Sequence, residues 1–298
     1  MLALGGCATP QVAALLANPP PALVERFELT EVPFFPQEEY QCGPAALATA
    51  LVHSGIAVTP EALVGQVYLP DRKGSLQAEM LAAARRHGRV AYPLAPQLES
   101  LLQEAAAGTP VIVLQNLAFA FAPLWHYAVV IGYDRAREEI VLRSGETQRL
   151  VMTLSNFERT WARGDYWAMV ALPPERLPAT AREDSYVAAA VALERVSGEA
   201  ARRAYVTALS RWPRNFIARM GLGNAAYGAK DFAAAEAAYR QATLDHPAAP
   251  DAWNNLAQAL FQLGRKDEAL AAAQRAIDRG GARRAHYERT LRNIAESR

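Results

Sequence analysis

The chain has 298 residues, of which 51% are apolar and 20% are charged, a composition typical of globular proteins and a length sufficient for two domains. The formal net charge of +1 gives no electrostatic reason to expect nucleic acid or another strongly charged partner. The two cysteines exclude a disulfide-rich scaffold, and no apolar run approaches the roughly 18 residues of a membrane-spanning helix.

A short apolar segment leads to the first cysteine, Cys7. Leu4-Gly5-Gly6-Cys7 resembles a bacterial lipobox, in which small residues precede the cysteine that receives the lipid. Residues 8–24 are rich in Ala and Pro, which is typical of an extended, semi-rigid spacer. We therefore predict that residues 1–29 comprise a truncated lipoprotein signal and a Pro-rich tether, with lipidation of Cys7.

This prediction also implies where in the cell the protein is located. Since no acidic residue directly follows Cys7, we expect a lipid-anchored protein of the bacterial envelope, on the outer membrane and facing the periplasm. A lipidated Cys7 cannot pair with Cys42. The second cysteine would then be an unpaired thiol in an oxidising compartment, where idle thiols are readily oxidised, so a functional role is expected for it.

Cys42 stands at the start of a predicted helix. The run from Ala45 to Val52 reads as a buried helix, and Pro44 suits its first turn because no backbone N–H is needed there. The positive end of the helix dipole favours a thiolate over a thiol at Cys42. Gly43 leaves room for a substrate to approach the sulfur.

If Cys42 is a nucleophile, a candidate base for it lies at the start of a predicted strand. His126 is followed by apolar residues and then by Gly132-Tyr133-Asp134, which read as a strand ending in a turn. Nucleophilic catalysis by a thiol needs an imidazole within hydrogen-bond reach to accept and return the proton. We therefore predict that Cys42 and His126 form a catalytic pair.

These motifs resemble the bacteriocin-processing, double-glycine leader peptidases of the papain-like group. Gln37, Cys42, Gly43 and Pro44 match one motif of that family, and the His126 strand matches the other. The resemblance extends over residues 30–172 and implies that Gln37 donates to the oxyanion, as a side-chain amide can. It also implies a fold in which helices precede an antiparallel sheet, together with cleavage of a peptide or amide bond.

The third catalytic position departs from the family. The resemblance implies an Asp on the strand after the Gly-Tyr-Asp turn, and Ser144 occupies that place. A serine hydroxyl can accept a hydrogen bond from the imidazole but supplies no negative charge. Asp134, which is suited to closing the turn, and Asp165 are alternatives, and a dyad without a third member is another.

The other helix and strand patterns of residues 30–172 predict an α+β domain. Amphipathic helices are expected at residues 75–87 and 98–107, and a buried strand at residues 111–115. Further strands are expected at the following positions: residues 126–133, 139–143 and 167–172.

After a Pro-rich, charged linker at residues 173–184, the chain becomes helical and alanine-rich. Pro213 and Pro247 lie 34 residues apart, and so do Leu222 and Leu256. A helix–turn–helix period of this length is the signature of tetratricopeptide repeats. We predict an all-α tetratricopeptide-repeat domain at residues 185–298 that binds a peptide or partner protein, with a stabilising appendage as the alternative.

The leading hypothesis is therefore a membrane-anchored cysteine peptidase that acts through Cys42 and His126. It is expected to need no cofactor or metal and to bind a peptide or protein substrate but no nucleic acid. One alternative is a non-catalytic adaptor, which Ser144 in place of Asp favours. Another is an acyl or peptidyl transferase on the same fold, because transfer and hydrolysis share the first half-reaction.

Overall fold

The structure is a computed structural model that describes residues 9–36 and 41–297. Cys7 and Gln37, for which lipidation and an oxyanion role are predicted, lie outside the described residues. The chain divides into two compact units, Met1–Ser185 and Tyr186–Arg298. No helix in the described ranges is both long enough and apolar enough to cross a membrane.

The first unit combines helices with a seven-stranded sheet. Its elements in chain order are α1 (Pro10–Ala17), β1 (Arg26–Glu28), α2 (Cys42–His53), α3 (Pro60–Val67), β2 (Tyr68–Leu69), a 3-10 helix (Pro70–Arg72), β3 (Gly74–Ser75), α4 (Gln77–Arg86), β4 (Val90–Pro93), α5 (Leu98–Ala106), β5 (Val111–Asn116), β6 (Trp125–Asp134), β7 (Glu139–Ser144), β8 (Thr147–Thr153), α6 (Leu154–Ala162) and β9 (Ala168–Leu172).

The sheet is antiparallel, with the strand order β4-β9-β5-β6-β7-β8, and β1 pairs with the far end of β6. The central strands β5 and β9 are buried along their whole length, and β6 and β7 are buried except at their ends. Helix α2 packs against β5 and β6, and its Leu47 and Leu51 are fully buried. The largely antiparallel sheet and the helix packed on it agree with the predicted α+β fold class.

The N-terminal segment differs from the extended spacer predicted for residues 8–24. Residues 10–17 form α1, which packs against α5 and α6, and its Val12 and Leu15 are buried. The buried carboxylate of Glu158 accepts hydrogen bonds from the backbone N–H groups of Gln11 and Val12 at 3.0 and 2.7 Å. The prediction was wrong here because this cap comes from a residue distant in sequence, and no local pattern reveals it.

The proposed linker at residues 173–184 is bonded to the first unit. The buried carboxylate of Glu104 accepts hydrogen bonds from the backbone N–H of Ala179 and from both the N–H and the hydroxyl of Thr180. The hydroxyl of Tyr92 accepts another from the N–H of Arg182. These bonds give this stretch a fixed path instead of the freedom of a flexible linker.

The second unit is built from helical hairpins. Gly221 and Gly223 on one helix allow the rings of Tyr205 and Tyr239 to approach, since a Cβ at either glycine would lie 2.4 Å from the ring. The two tyrosines, 34 residues apart, thus pack against one helix from the helix before it and the helix after it. The helices are α7 (Glu183–Glu194), α8 (Gly198–Arg211), α9 (Phe216–Gly228), α10 (Phe232–Asp245), α11 (Pro250–Gln262), α12 (Lys266–Arg279) and α13 (Arg284–Glu296).

Candidate active site

Cys42 is the first residue of α2, as the sequence predicts. The side chain of the preceding residue, Gln41, makes no capping hydrogen bond to the helix. The backbone N–H groups of Tyr127, Gly43 and Cys42 all stabilise the charged form of the sulfur. Because Tyr127 directly follows His126 on β6, its backbone contact brings the thiol to the part of the strand that carries the imidazole.

The His126 imidazole is held by the neighbouring strand. Its Nε2 atom lies 2.8 Å from the Ser144 hydroxyl oxygen at the end of β7. This hydrogen bond engages Nε2 and leaves Nδ1 as the other ring nitrogen able to exchange a proton. Ser144 therefore occupies the position that orients the histidine, although it brings no charge to stabilise an imidazolium.

Burial disfavours the charged forms of both groups. It raises the pKa of the Cys42 thiol, and the three backbone N–H groups offset only part of that increase. It also lowers the pKa of the His126 imidazole. The helix dipole led us to expect a lowered thiol pKa, and this direction is wrong because desolvation is the larger effect. Burial thus favours the neutral thiol of Cys42 and the neutral imidazole of His126.

Both side chains line one cleft of about 1170 Å³. Its walls carry side chains of both charge signs as well as apolar ones, so it can accommodate a chain with mixed side chains. Besides Cys42 and His126, the lining includes Arg72, Lys73, Ser75, Leu124, Trp125, Tyr127, Glu146 and Asp165. No group of side chains with the composition of a metal site occurs within residues 9–36 and 41–297.

Ser75 lines this cleft without having been predicted from the sequence. The helix predicted over residues 75–87 begins only at Gln77, and residues 74 and 75 form β3, which pairs with β2. The Tyr127 hydroxyl donates to the Ser75 carbonyl at 3.2 Å. The Ser75 hydroxyl would lie 2.2 Å from a Cβ at Gly43, so only glycine fits directly after the nucleophile.

The two aspartates considered as alternatives to Ser144 have different positions. The Asp134 carboxylate accepts a hydrogen bond from the N–H of Arg137 and closes the β6–β7 turn, at the opposite end of β6 from His126. Asp165 lines the cleft in a left-handed backbone conformation, with φ of 54°. Of the three candidates, Ser144 is the one hydrogen-bonded to the imidazole.

A buried arginine holds the segment at residues 30–32, which precedes α2 in the chain. The Arg143 guanidinium donates to the carbonyl oxygens of Val32 and Thr30 at 2.8 and 3.3 Å, and its side chain is buried. Because Arg143 precedes Ser144 on β7, the same strand end holds both the histidine partner and the chain before Cys42. A change at Arg143 would therefore disturb both sides of the site.

The repeat unit carries a smaller polar pocket of about 220 Å³. The Asn224 side-chain oxygen accepts hydrogen bonds from the Tyr239 hydroxyl at 2.8 Å and from the Asn255 amide at 3.3 Å.

Comparisons with known proteins match each unit separately. Residues 29–168 match the Peptidase_C39 like family, and residues 186–243 and 222–285 match the Tetratricopeptide repeat family. No curated protein matches.

Two solved structures resemble parts of the chain. A protein described as a C39-like peptidase from Bacillus anthracis is 20% identical, with a TM-score of 0.42, over 50% of this chain and 98% of that chain. The tetratricopeptide domain of Sgt2 from Aspergillus fumigatus is 24% identical, with a TM-score of 0.35, over 38% of this chain and 76% of that chain.

Proposed function

We propose that this chain, a C39-like peptidase domain followed by tetratricopeptide repeats, is a thiol hydrolase that cuts a peptide or amide bond. The observation that carries the proposal is the shared position of Cys42 and His126 in one cleft, with the imidazole oriented by Ser144. The family match over residues 29–168 and the fold class agree with this chemistry but leave the activity itself as a proposal.

In the proposed reaction, the Cys42 sulfur attacks the carbonyl carbon of the scissile bond and its proton passes to Nδ1 of His126. The backbone N–H of Cys42 and the Gln37 amide donate to the oxyanion. His126 then protonates the leaving amine, the C–N bond breaks and a thioester remains. Water attacks the thioester and gives a proton to His126, which returns it to the departing Cys42 sulfur.

The neutral forms of Cys42 and His126 determine when the proton is transferred in this mechanism. Since burial favours the thiol and the neutral imidazole, the proton transfer accompanies nucleophilic attack instead of preceding substrate binding. The reactive form of the pair carries a single proton. This form predominates at pH values between the lowered pKa of His126 and the raised pKa of Cys42, so activity should extend across neutral pH.

The direct test uses the full chain with Cys7→Ser, so that Cys42 is the remaining thiol. It is incubated with a library of internally quenched peptides that vary around a small residue. We expect cleavage that falls about a thousandfold in both Cys42→Ala and His126→Ala, and an Asp134→Asn control that cleaves normally. Cleavage that persists in Cys42→Ala, or its absence in the parent chain, would contradict the proposal.

The second candidate function is a non-catalytic adaptor, and the neutral Ser144 favours it. In that case the cleft binds a peptide without cutting it, and the repeats recruit a partner protein. Binding of library peptides by the Cys42→Ala variant, combined with no cleavage by the parent chain, would support the adaptor. The repeats are proposed to bind a peptide or protein in either case, because this is a common use of such arrays.

We further propose that lipid on Cys7 anchors the protein to the outer membrane, facing the periplasm. Helix α1 begins at Pro10, and the three residues from Cys7 can span at most roughly 10 Å. The lipid would therefore hold the peptidase-like domain at the membrane surface. Mass spectrometry of the protein from a Gram-negative host should find a diacylglyceryl group on Cys7, and Cys7→Ser should remove both the group and the membrane association.

A further inference from the structure

A solvent-exposed apolar loop borders the candidate active site. It comprises residues 117–124, between β5 and β6, together with Trp125, the first residue of β6, and contains no charged residue. Phe119 and Phe121 are 67% and 86% exposed, and Leu124 and Trp125 are also exposed. Hairpin loops ordinarily consist of polar and turn-forming residues, and several adjacent exposed apolar side chains mark an interaction surface.

The loop is held in one conformation. The buried Asn116 accepts hydrogen bonds from the N–H groups of Ala118 and Leu124, both at 3.0 Å. The N–H of Leu117 donates to the carbonyl of Leu124 across the base of the loop. The rings of Phe119 and Phe121 stack with 5.3 Å between centroids. A surface fixed in advance loses little conformational entropy when it binds a ligand.

The apolar loop is continuous with the cleft. Its last three residues, Pro123, Leu124 and Trp125, line the cleft that contains Cys42, and Trp125 directly precedes His126 on β6. A chain bound beside Cys42 thus has apolar loop surface available a short distance from the scissile bond. This surface is outside the set of side chains that carry out the proposed chemistry.

We propose that the apolar loop is a specificity subsite, which binds large apolar side chains of a peptide substrate near the scissile bond. This inference rests on the proposed function. Binding would cover the exposed rings of Phe119 and Phe121, and burial of apolar surface favours such complexes. Peptides with polar residues at the same positions would leave the rings exposed and bind less tightly.

A lipid bilayer is the other medium that could cover exposed aromatic side chains, but the position of the loop favours a peptide. Leu124 and Trp125 belong to the cleft wall. Insertion of the loop into a membrane would press lipid against the opening through which a substrate reaches Cys42. A peptide that lies across the loop and enters the cleft uses both surfaces together.

The test measures the rate at which two affinity labels alkylate Cys42 in the full chain with Cys7→Ser. The labels are acetyl-Leu-Leu-Ala-chloromethyl ketone and acetyl-Ser-Ser-Ala-chloromethyl ketone, which differ only in the side chains that would meet the loop. The variant is Phe119→Ser with Phe121→Ser. The matched control is Leu244→Ser, at a similarly exposed apolar position in the repeat unit (68% exposed).

We expect the parent chain and the Leu244→Ser control to react at least tenfold faster with the leucine label, a difference of about 1.4 kcal/mol. The phenylalanine variant should lose this preference and react with the serine label at an unchanged rate. An undiminished preference in that variant would overturn the subsite while leaving the proposed function standing. Labelling by both reagents that is indifferent to His126→Ala would instead overturn the proposed function.

The membrane alternative has its own readout. Vesicles of phosphatidylethanolamine and phosphatidylglycerol are sedimented with the same proteins, and the bound fraction is measured. The subsite predicts equal binding by the parent chain and the phenylalanine variant. Vesicle binding that depends on Phe119 and Phe121, together with an unchanged label preference, would assign the apolar loop to the membrane and refute the subsite.

Discussion

Replacing Ser144 by Asp should place a negative charge next to the His126 imidazole. The Ser144 hydroxyl lies 2.8 Å from Nε2 of His126, and burial lowers the pKa of this imidazole. A neutral hydrogen bond contributes about 0.5–1.5 kcal/mol and a bond to a charged group about 1.5–3 kcal/mol. The gain of about 1–2 kcal/mol for the imidazolium corresponds to an increase of about one unit in the pKa of His126.

The pKa is measured by NMR titration of the histidine ring signals. The chain has five histidines, and the signal of His126 is identified by its absence in His126→Ala. Ser144→Asn is the matched control, because it has the shape of Asp without the charge. We expect the pKa of His126 to stay below about 6.5 in the parent chain and in Ser144→Asn, and to rise in Ser144→Asp.

The same variant changes how stability depends on pH. In the parent chain the folded pKa of His126 is lowered, so protonation of the unfolded chain should reduce stability as the pH falls below about 6.5. In Ser144→Asp, once the folded pKa exceeds the unfolded one, the added stability is present below about pH 6.5 and is lost as the pH rises through the folded pKa. A Ser144→Asp chain with an unchanged His126 pKa would refute the assigned contact.

Two further substitutions test the packing that positions the site. Gly43→Ala should cost about 1–3 kcal/mol in chemical denaturation, because its Cβ would meet the Ser75 side chain, and Ser75→Gly in the same chain should recover most of this loss. The control Gly65→Ala, with open space around it, should be neutral or stabilising, and equal costs would contradict the contact. Glu158→Ala should lower the free energy of unfolding by about 1–3 kcal/mol. It should also speed amide exchange in α1, because the Glu158 carboxylate accepts hydrogen bonds from the first N–H groups of this helix. Unchanged exchange would contradict the cap.

Much of the site could be predicted because its signals are local. The start of α2 at Cys42 follows from Pro44 and the apolar run after it, and His126 precedes a continuous apolar strand. The position of Ser144 was expected from the family resemblance, which implies a third residue on the strand after the Gly-Tyr-Asp turn; the turn alone would not give its pairing, because the β6–β7 register shifts between Val130 and Gly132. These features depend on neighbours within about 20 residues along the chain.

The features that were missed depend on distant parts of the chain. Helix α1 is capped by Glu158, 147 residues away in sequence. Ser75 reaches the cleft on a hairpin whose two strands have only two residues each, too short for a sequence periodicity. The direction of the pKa shift of Cys42 depends on how deeply the folded domain buries the sulfur. The position of Cys42 at a helix start, which is all that the sequence shows, does not reveal the desolvation cost of a buried thiolate.

The apolar loop is recognisable in the sequence itself. The segment that connects β5 to β6, with Trp125 at its end, contains no charged residue. A turn between strands is ordinarily polar. An apolar stretch at such a position predicts a surface that becomes covered by another molecule.

The central claim is that Cys42 and His126 act as one unit, and the alkylation rate of Cys42 tests it most directly. The full chain with Cys7→Ser is treated with iodoacetamide from pH 4 to 10, beside the same chain with His126→Ala. The account predicts that the alkylation rate of the parent chain increases with pH at values below 6.5, as His126 is deprotonated, and is constant at neutral pH. In the variant, the rate at pH 7 should be at least about tenfold lower and should rise only above the ordinary thiol pKa of about 8.5. Identical pH profiles in the two chains would contradict the claim.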